Sequence, residues 1–332
     1  MPHTFAHPFF AAPLKRLMPR WLRASGLALG SMAPDFEYFA AMEPYRTIGH
    51  THAGFFLIHL PMCAAAALVL RRLLLPTLPL MLPAAGGLDR FAARLSMRPL
   101  RTIGDWMAFI VSLFIGFLTH LFMDGWTHGH TYFTDRFAWL HAPGIGRYVV
   151  YESLQFVLSA VGGGAIALYV FFRWRAFRSA TAGGGSSAHP PAEKRRFRLT
   201  VVLVMAAVLA AKLAIDPPAA PIGAAIVAPF TALVAGWMTA ALLRQRRMAA
   251  WAALAALLAV MSLHAFAEAI LPPVLRGAGY GLLTETALTV CWVGALWGVS
   301  LIAAGCAAAA RPGKPGGFGA SAGVRRERTG AG

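Results

Sequence analysis

His120, Asp124 and His128 stand four residues apart at the end of an apolar run. On a helix, positions i, i+4 and i+8 share a face, drifting by about 40° per four-residue step. Imidazole, carboxylate and imidazole on one stripe are ligands of the kind that hold zinc or a similar divalent metal. An i, i+4 His–Asp pair is equally what a simple hydrogen bond looks like. Gly125 and Gly129 could end the helix before His128. A zinc site needs three or four N or O ligands, so other segments must close the sphere. Asp35, His50, His120 and Asp124 could form one such sphere. Asp124 could then bridge to a second ion held by His7, His128 or both. Two ions together would polarise a phosphoryl oxygen and activate water. Asp35 or Asp124 would be the catalytic carboxylate, orienting that water or taking its proton. His52 is a spare imidazole beside His50. Glu152 and Gln155 could face the same cavity, or could simply cap a helix.

The elements that must position these groups are membrane spans. Of the 332 residues, 58% are hydrophobic and only 13% charged, about half the soluble norm of ~25%. Seven apolar runs approach or exceed the roughly 18–20 residues that cross a bilayer, at about 54–70, 105–123, 148–172, 199–215, 219–243, 249–271 and 281–308. The fold class expected is therefore all-α, a polytopic integral membrane protein. The first span is expected to close at Arg71-Arg72, with a Pro/Gly-rich connection through Pro76, Pro79, Pro83, Gly86 and Gly87. Residues 24–42, interrupted by Pro34-Asp35 and Glu37, read as a half-buried helix and a turn.

Four segments follow from composition: a metal-site domain at 1–172, a flexible basic linker at 173–198, a four-helix region at 199–310 and a disordered tail at 311–332. The net charge of +17 lies mostly in loops at 71–101, 173–198, 244–247 and the tail. That is the pattern of membrane topology, with lipid headgroups as partners and no nucleic-acid surface. It puts the basic loops in the cytoplasm and the ends bearing His50, His120 and Asp124 together on the other side. The five basic residues of 1–53 are the exception to the rule. Cys63, Cys291 and Cys306 lie in apolar runs without a CxxC pair and read as small buried hydrophobes. His3, His59, His130, His141, His189 and His264 read as capping or hydrogen-bonding groups.

Four motifs in order carry a resemblance: the opening Met1-Pro2-His3-Thr4-Phe5-Ala6-His7-Pro8, then Gly30-Ser31-Met32-Ala33-Pro34-Asp35-Phe36, then Gly49-His50-Thr51, then Leu118 to Asp124 with Thr127-His128. Over about residues 1–170 the chain resembles an uncharacterised family of bacterial membrane proteins, domain of unknown function 4184. More distantly it is similar to membrane-bound metal-dependent hydrolases. Through them it resembles the zinc-dependent phospholipase C and single-strand nuclease superfamily, helical enzymes that hydrolyse phosphoesters on three zinc ions. The resemblance implies His7, Asp35, His50, His120 and His128 as metal ligands and Asp124 as a bridging one. It also implies a bacterial inner-membrane location. Two departures reduce the expected count to one or two ions. The soluble enzymes have a later His and Glu four apart, whereas residue 145 here, four after His141, is Ile. They also use a processed N-terminal amine, whereas this chain starts Met-Pro with His7 further in. The alternative function is a non-catalytic membrane protein whose metal is structural, sensory or transported.

Overall fold

In the computed structural model the described residues are 4–181, 186–245, 247–269 and 281–310. His3, residues 182–185, Arg276, the side chains of Glu268 and Glu285, and the tail from Arg311 lie outside them. The described chain is predominantly helical, with no strand beyond an isolated bridge between Pro143 and Val149. Short helices come first: α1 (His7–Leu17), α2 (Ala24–Met32) and α3 (Phe36–Ala41). A 3₁₀ turn at Ala33–Asp35 separates α2 from α3, because the Pro34 ring cannot continue an α ladder. The long helices follow: α4 (His52–Met81), then the short α5 (Leu88–Ala93), then α6 (Ile103–Thr127), α7 (Val150–Ala180) and α8 (Pro191–Ile215). The chain continues through α9 (Gly223–Leu243), α10 (Arg247–Ala269) and α11 (Gly281–Ala309). Seven of these helices are long and apolar enough to cross a membrane. Apolar side chains such as Val161, Leu168 and Phe172 stand exposed along α7. A bilayer would solvate such a face.

Three boundaries differ from the sequence expectation. The first span does not close at Arg71-Arg72; α4 runs on to Met81. Two π turns, Phe55–His59 and Leu70–Leu74, widen it. The second lies just before Pro76, where a missing N–H and ring bulk would otherwise break the ladder. The second span continues past Met123 to Thr127. Most of 173–198 is helix, not linker, since α7 extends to Ala180 and α8 starts at Pro191. The extension is held from the side. Trp174 donates to the Gly86 carbonyl at 2.9 Å, and Arg94 lies over the Phe177 ring.

Two packing arrangements place the site. Helix α2 lies directly on α6, and glycines make the close approach possible. A Cβ on Gly30 would lie 2.0 Å from the Leu113 carbonyl oxygen, and one on Gly116 2.4 Å from that of Leu27. This contact sets Ser31 and Asp35 against His120. The residues on either side of 173–198 also share hydrophobic clusters. Leu73 and Leu74 pack with Ala241, Leu242 and Ala307. Ala41 and Ile58 pack with Val260, Trp292 and Leu296. Met42 packs with Val208, Ala232 and Met261.

Candidate metal centre

Helix α6 starts on a capping box, Thr102 with Asp105, and carries His120 and Asp124 on its buried face. His120 is fully buried. Its Nδ1 donates to the Ser31 carbonyl at 2.7 Å, and its Nε2 meets Asp124 Oδ2 at 3.2 Å. Asp35, on the 3₁₀ turn, is also fully buried. Its Oδ2 accepts from the Thr4 hydroxyl at 2.5 Å, and its Oδ1 has no hydrogen-bond partner among the described residues. His50, in the turn before α4, has no hydrogen-bond partner on either ring nitrogen among the described residues. Its Nε2 stands 3.7 Å from both Asp35 Oδ1 and Asp124 Oδ2. His120 Nε2 is 3.8 Å from the same Asp35 oxygen.

These separations fit a shared cation. Ligands about 2.1 Å from zinc in tetrahedral array lie roughly 3.4 Å apart, and of these contacts only His120–Asp124, at 3.2 Å, is within hydrogen-bond reach of about 2.7–3.2 Å. Ligand atoms of Asp35, His50 and His120 all fall within 4.8 Å of one another. A buried carboxylate oxygen and a buried imidazole left unpaired are costly without a partner. The donor set is therefore chemically suited to a divalent ion.

The other oxygen of Asp124 faces a second group. Its Oδ1 lies 3.7 Å from His7 Nε2 and 3.6 Å from His128 Nδ1. The His7 ring stacks on that of His120, centroids 4.0 Å apart. His128 is the residue after the α6 terminus, in extended conformation. The helical stripe therefore stops one residue short of it, and the turn carries it back to Asp124. Its Nε2 meets the Gln155 amide at 3.0 Å. Burial pushes the His7 imidazole down to about 3 and lowers that of His128 too. Both are thereby kept neutral, the form that ligates metal. Burial pushes the Asp35 carboxyl above its usual range, against the pull of His120. A small cavity of about 30 Å³ opens on this second group, lined by His7, Asp124 and His128 with Phe10, Gln155 and Ser159. It has room for roughly two waters.

All six residues singled out as ligands thus come together, with Asp124 between two groups. His52 does not join them; its ring lies 6.2 Å from that of Phe117. Glu152 accepts from the Val149 N–H at 3.2 Å, a helix cap. His141 meets the Thr134 carbonyl, and His189 pairs with Glu193. Sequence reasoning missed Thr4, the Ser31 carbonyl and Glu37. It also missed a second buried cluster. There Lys212 Nζ lies 2.9 Å from Glu43 Oε1 and 2.5 Å from Asp216 Oδ2, and His264 Nδ1 lies 2.7 Å from that same Asp216 oxygen. The available signal was Lys212 and Asp216, four apart at a span end. Ionisable groups at such depth persist when paired.

The family described as "Domain of unknown function (DUF4184)" matches residues 1–263. The chain belongs to this family. The match takes in the whole candidate centre and Lys212, Asp216 and Glu43 besides, well past residue 170. No curated protein and no solved structure matches the chain.

Proposed function

We propose that the protein is a membrane-embedded, metal-dependent hydrolase of phosphoesters, lipid headgroups among them, with the centre at the extracytoplasmic surface of a bacterial inner membrane. The observation that carries the reading is the double-faced Asp124. One of its oxygens faces His50 and His120, and the other faces His7 and His128. Zinc or a similar ion would polarise a phosphoryl oxygen and lower the pKa of water there. The chain's own residues do the rest. Asp35, His50, His120 and Asp124 hold the inner position from four sides, and His7, Asp124 and His128 hold the outer from three. Three protein ligands and an open mouth are the catalytic arrangement; four closed ones are the structural arrangement. The outer position borders the cavity and is where a phosphoester oxygen would bind. Asp35 and Asp124 are the carboxylates able to orient water. Phe10 and Leu158 in the lining suit an ester carrying an apolar group.

Orientation follows from charge. Taken as successive crossings, the seven helices put the loops after α4, α7 and α9 on one side, where Arg and Lys are dense. The centre lies at the opposite ends. Lipid headgroups sit at that level of the membrane.

One observation favours a second reading, a non-catalytic structural metal. The inner position is the more enclosed one, since Asp35 and His120 are fully buried. Metal analysis of purified protein, together with assay of a generic phosphodiester and of phospholipid vesicles, separates the two. The hydrolase should contain up to two ions and cleave one of these substrates, with activity lost in His128→Ala. Ions without turnover on either substrate favour the structural reading. Protein without ions excludes both.

A further inference from the structure

Glu37 is fully buried in α3. Its Oε2 accepts from the backbone N–H of Gly49 at 2.9 Å and of Thr47 at 3.3 Å. Its Oε1 accepts from the Thr47 hydroxyl and, at 3.2 Å, from the Trp292 indole N–H. On the other side of the same turn, His59 Nε2 donates to the Gly49 carbonyl at 2.6 Å. Both backbone groups of Gly49 are therefore held by buried side chains. The fit is tight, since a Cβ on Gly49 would lie 2.3 Å from Glu37 Oε2. The next residue is His50.

His50 needs such support. Asp35 has Thr4 on its far oxygen, His120 has the Ser31 carbonyl and His128 has Gln155. His50 has no side-chain or backbone partner on its ring among the described residues. Its ring neighbours are the fellow ligand His120, 5.6 Å away between centroids, and Tyr38, 6.4 Å away. Its aim must come from the backbone turn that carries it. The turn is held by a carboxylate in α3, an imidazole in α4 and, through Trp292, the last helix, α11.

We infer that Glu37 is a positioning residue for the inner metal position, aiming His50 by clasping the 47–49 turn, and that Trp292 locks that clasp from α11. The inference rests on the metal reading above. It gives the last helix, which lies beyond the residues the family matches, a part in the site.

The test is ion content and affinity, read by chelator competition, on the full chain in detergent. The variants are Glu37→Gln, Trp292→Phe and Trp237→Phe. Trp237 is the control: its indole N–H also makes a hydrogen bond, to Thr77 at 2.9 Å, away from the centre. A Gln amide would turn N–H groups toward donors, so Glu37→Gln should weaken one of the two ions about 10–100-fold and leave the other. Trp292→Phe should weaken the same ion by less, and Trp237→Phe neither. Wild type without ions overturns the metal reading and this inference together. Wild type with ions, and Glu37→Gln binding them equally well, overturns the inference alone. If Glu37→Gln does not fold, Trp292→Phe binding both ions like the Trp237→Phe control overturns it.

Discussion

Asp124 is the residue on which the centre turns. Its two oxygens face different imidazole pairs, while His120, the other residue common to both groups, meets the outer one through its ring stacked on His7. An Asn in its place would set an amide nitrogen, a donor, against one imidazole pair. Asp124→Asn is therefore expected to lose both ions, and hydrolysis with them. His128→Ala should keep the inner ion, because His128 reaches only the outer oxygen, Oδ1. Elemental analysis of the purified variants checks the pair; equal loss in both would contradict the two-position geometry. Thr4 is worth the same scrutiny. Its hydroxyl fixes which Asp35 oxygen is free, and Thr4→Val should weaken the inner ion about 10–100-fold.

At the scale of elements, the centre depends on how closely α2 approaches α6. Gly30 and Gly116 allow backbone on backbone, and a methyl at either would meet a carbonyl oxygen that cannot step aside. Gly30→Ala is expected to destabilise the protein by about 1–3 kcal/mol and to move Ser31 and Asp35 away from His120. Thermal unfolding with parallel ion analysis reads both effects. A different contact joins α5 to α8. The buried Asp89 carboxylate accepts from Lys194 Nζ at 2.8 Å, from the Ser187 hydroxyl and from the Ala188 N–H. Burial would raise this carboxyl; those hydrogen bonds outweigh it and pull it down to about 2. An unfolded Asp titrates near ~3.9. The stabilisation is thus complete above about pH 4 and is lost as pH falls toward about 2. Melting temperature measured between pH 5 and pH 2 should show that loss, and Asp89→Asn should flatten it.

At the scale of the molecule, the residues before and after 173–198 form one packed body among the described residues. Shared hydrophobic clusters are one tie. The buried cluster of Glu43, Lys212, Asp216 and His264 is another, joining the loop after α3 to the ends of α8 and α10. Lys212 is fully buried and is the cation between two carboxylates. Lys212→Met would leave both carboxylates without that cation. A loss of about 3–5 kcal/mol is expected, visible as a lower unfolding midpoint. A midpoint unchanged in Lys212→Met would show that the cluster does not hold the body together.

Composition and periodicity alone determined the helical membrane architecture, because the cost of burying backbone in a bilayer leaves little else for long apolar runs. Residue type and four-residue spacing singled out His120 and Asp124, since a helix brings i and i+4 onto one face whatever surrounds it. His7 and His128 were candidates for a second ion on residue type and spacing, and the resemblance to a known family implied the same two. Helix boundaries were less legible. Pro76 and Pro79 read as breakers, yet π turns and packing carried α4 past them. What only the tertiary structure decided was which atom of each side chain is free. Thr4 and Ser31 come from segments far from Asp35 and His120 in sequence, and each occupies one polar atom of a ligand, leaving another to face the centre; Gln155 takes His128 Nε2, while the Thr127 hydroxyl and Asp124 share its Nδ1. Such pairings depend on the three-dimensional approach of α1, α2, α6 and α7, and no local pattern in the chain encodes that approach.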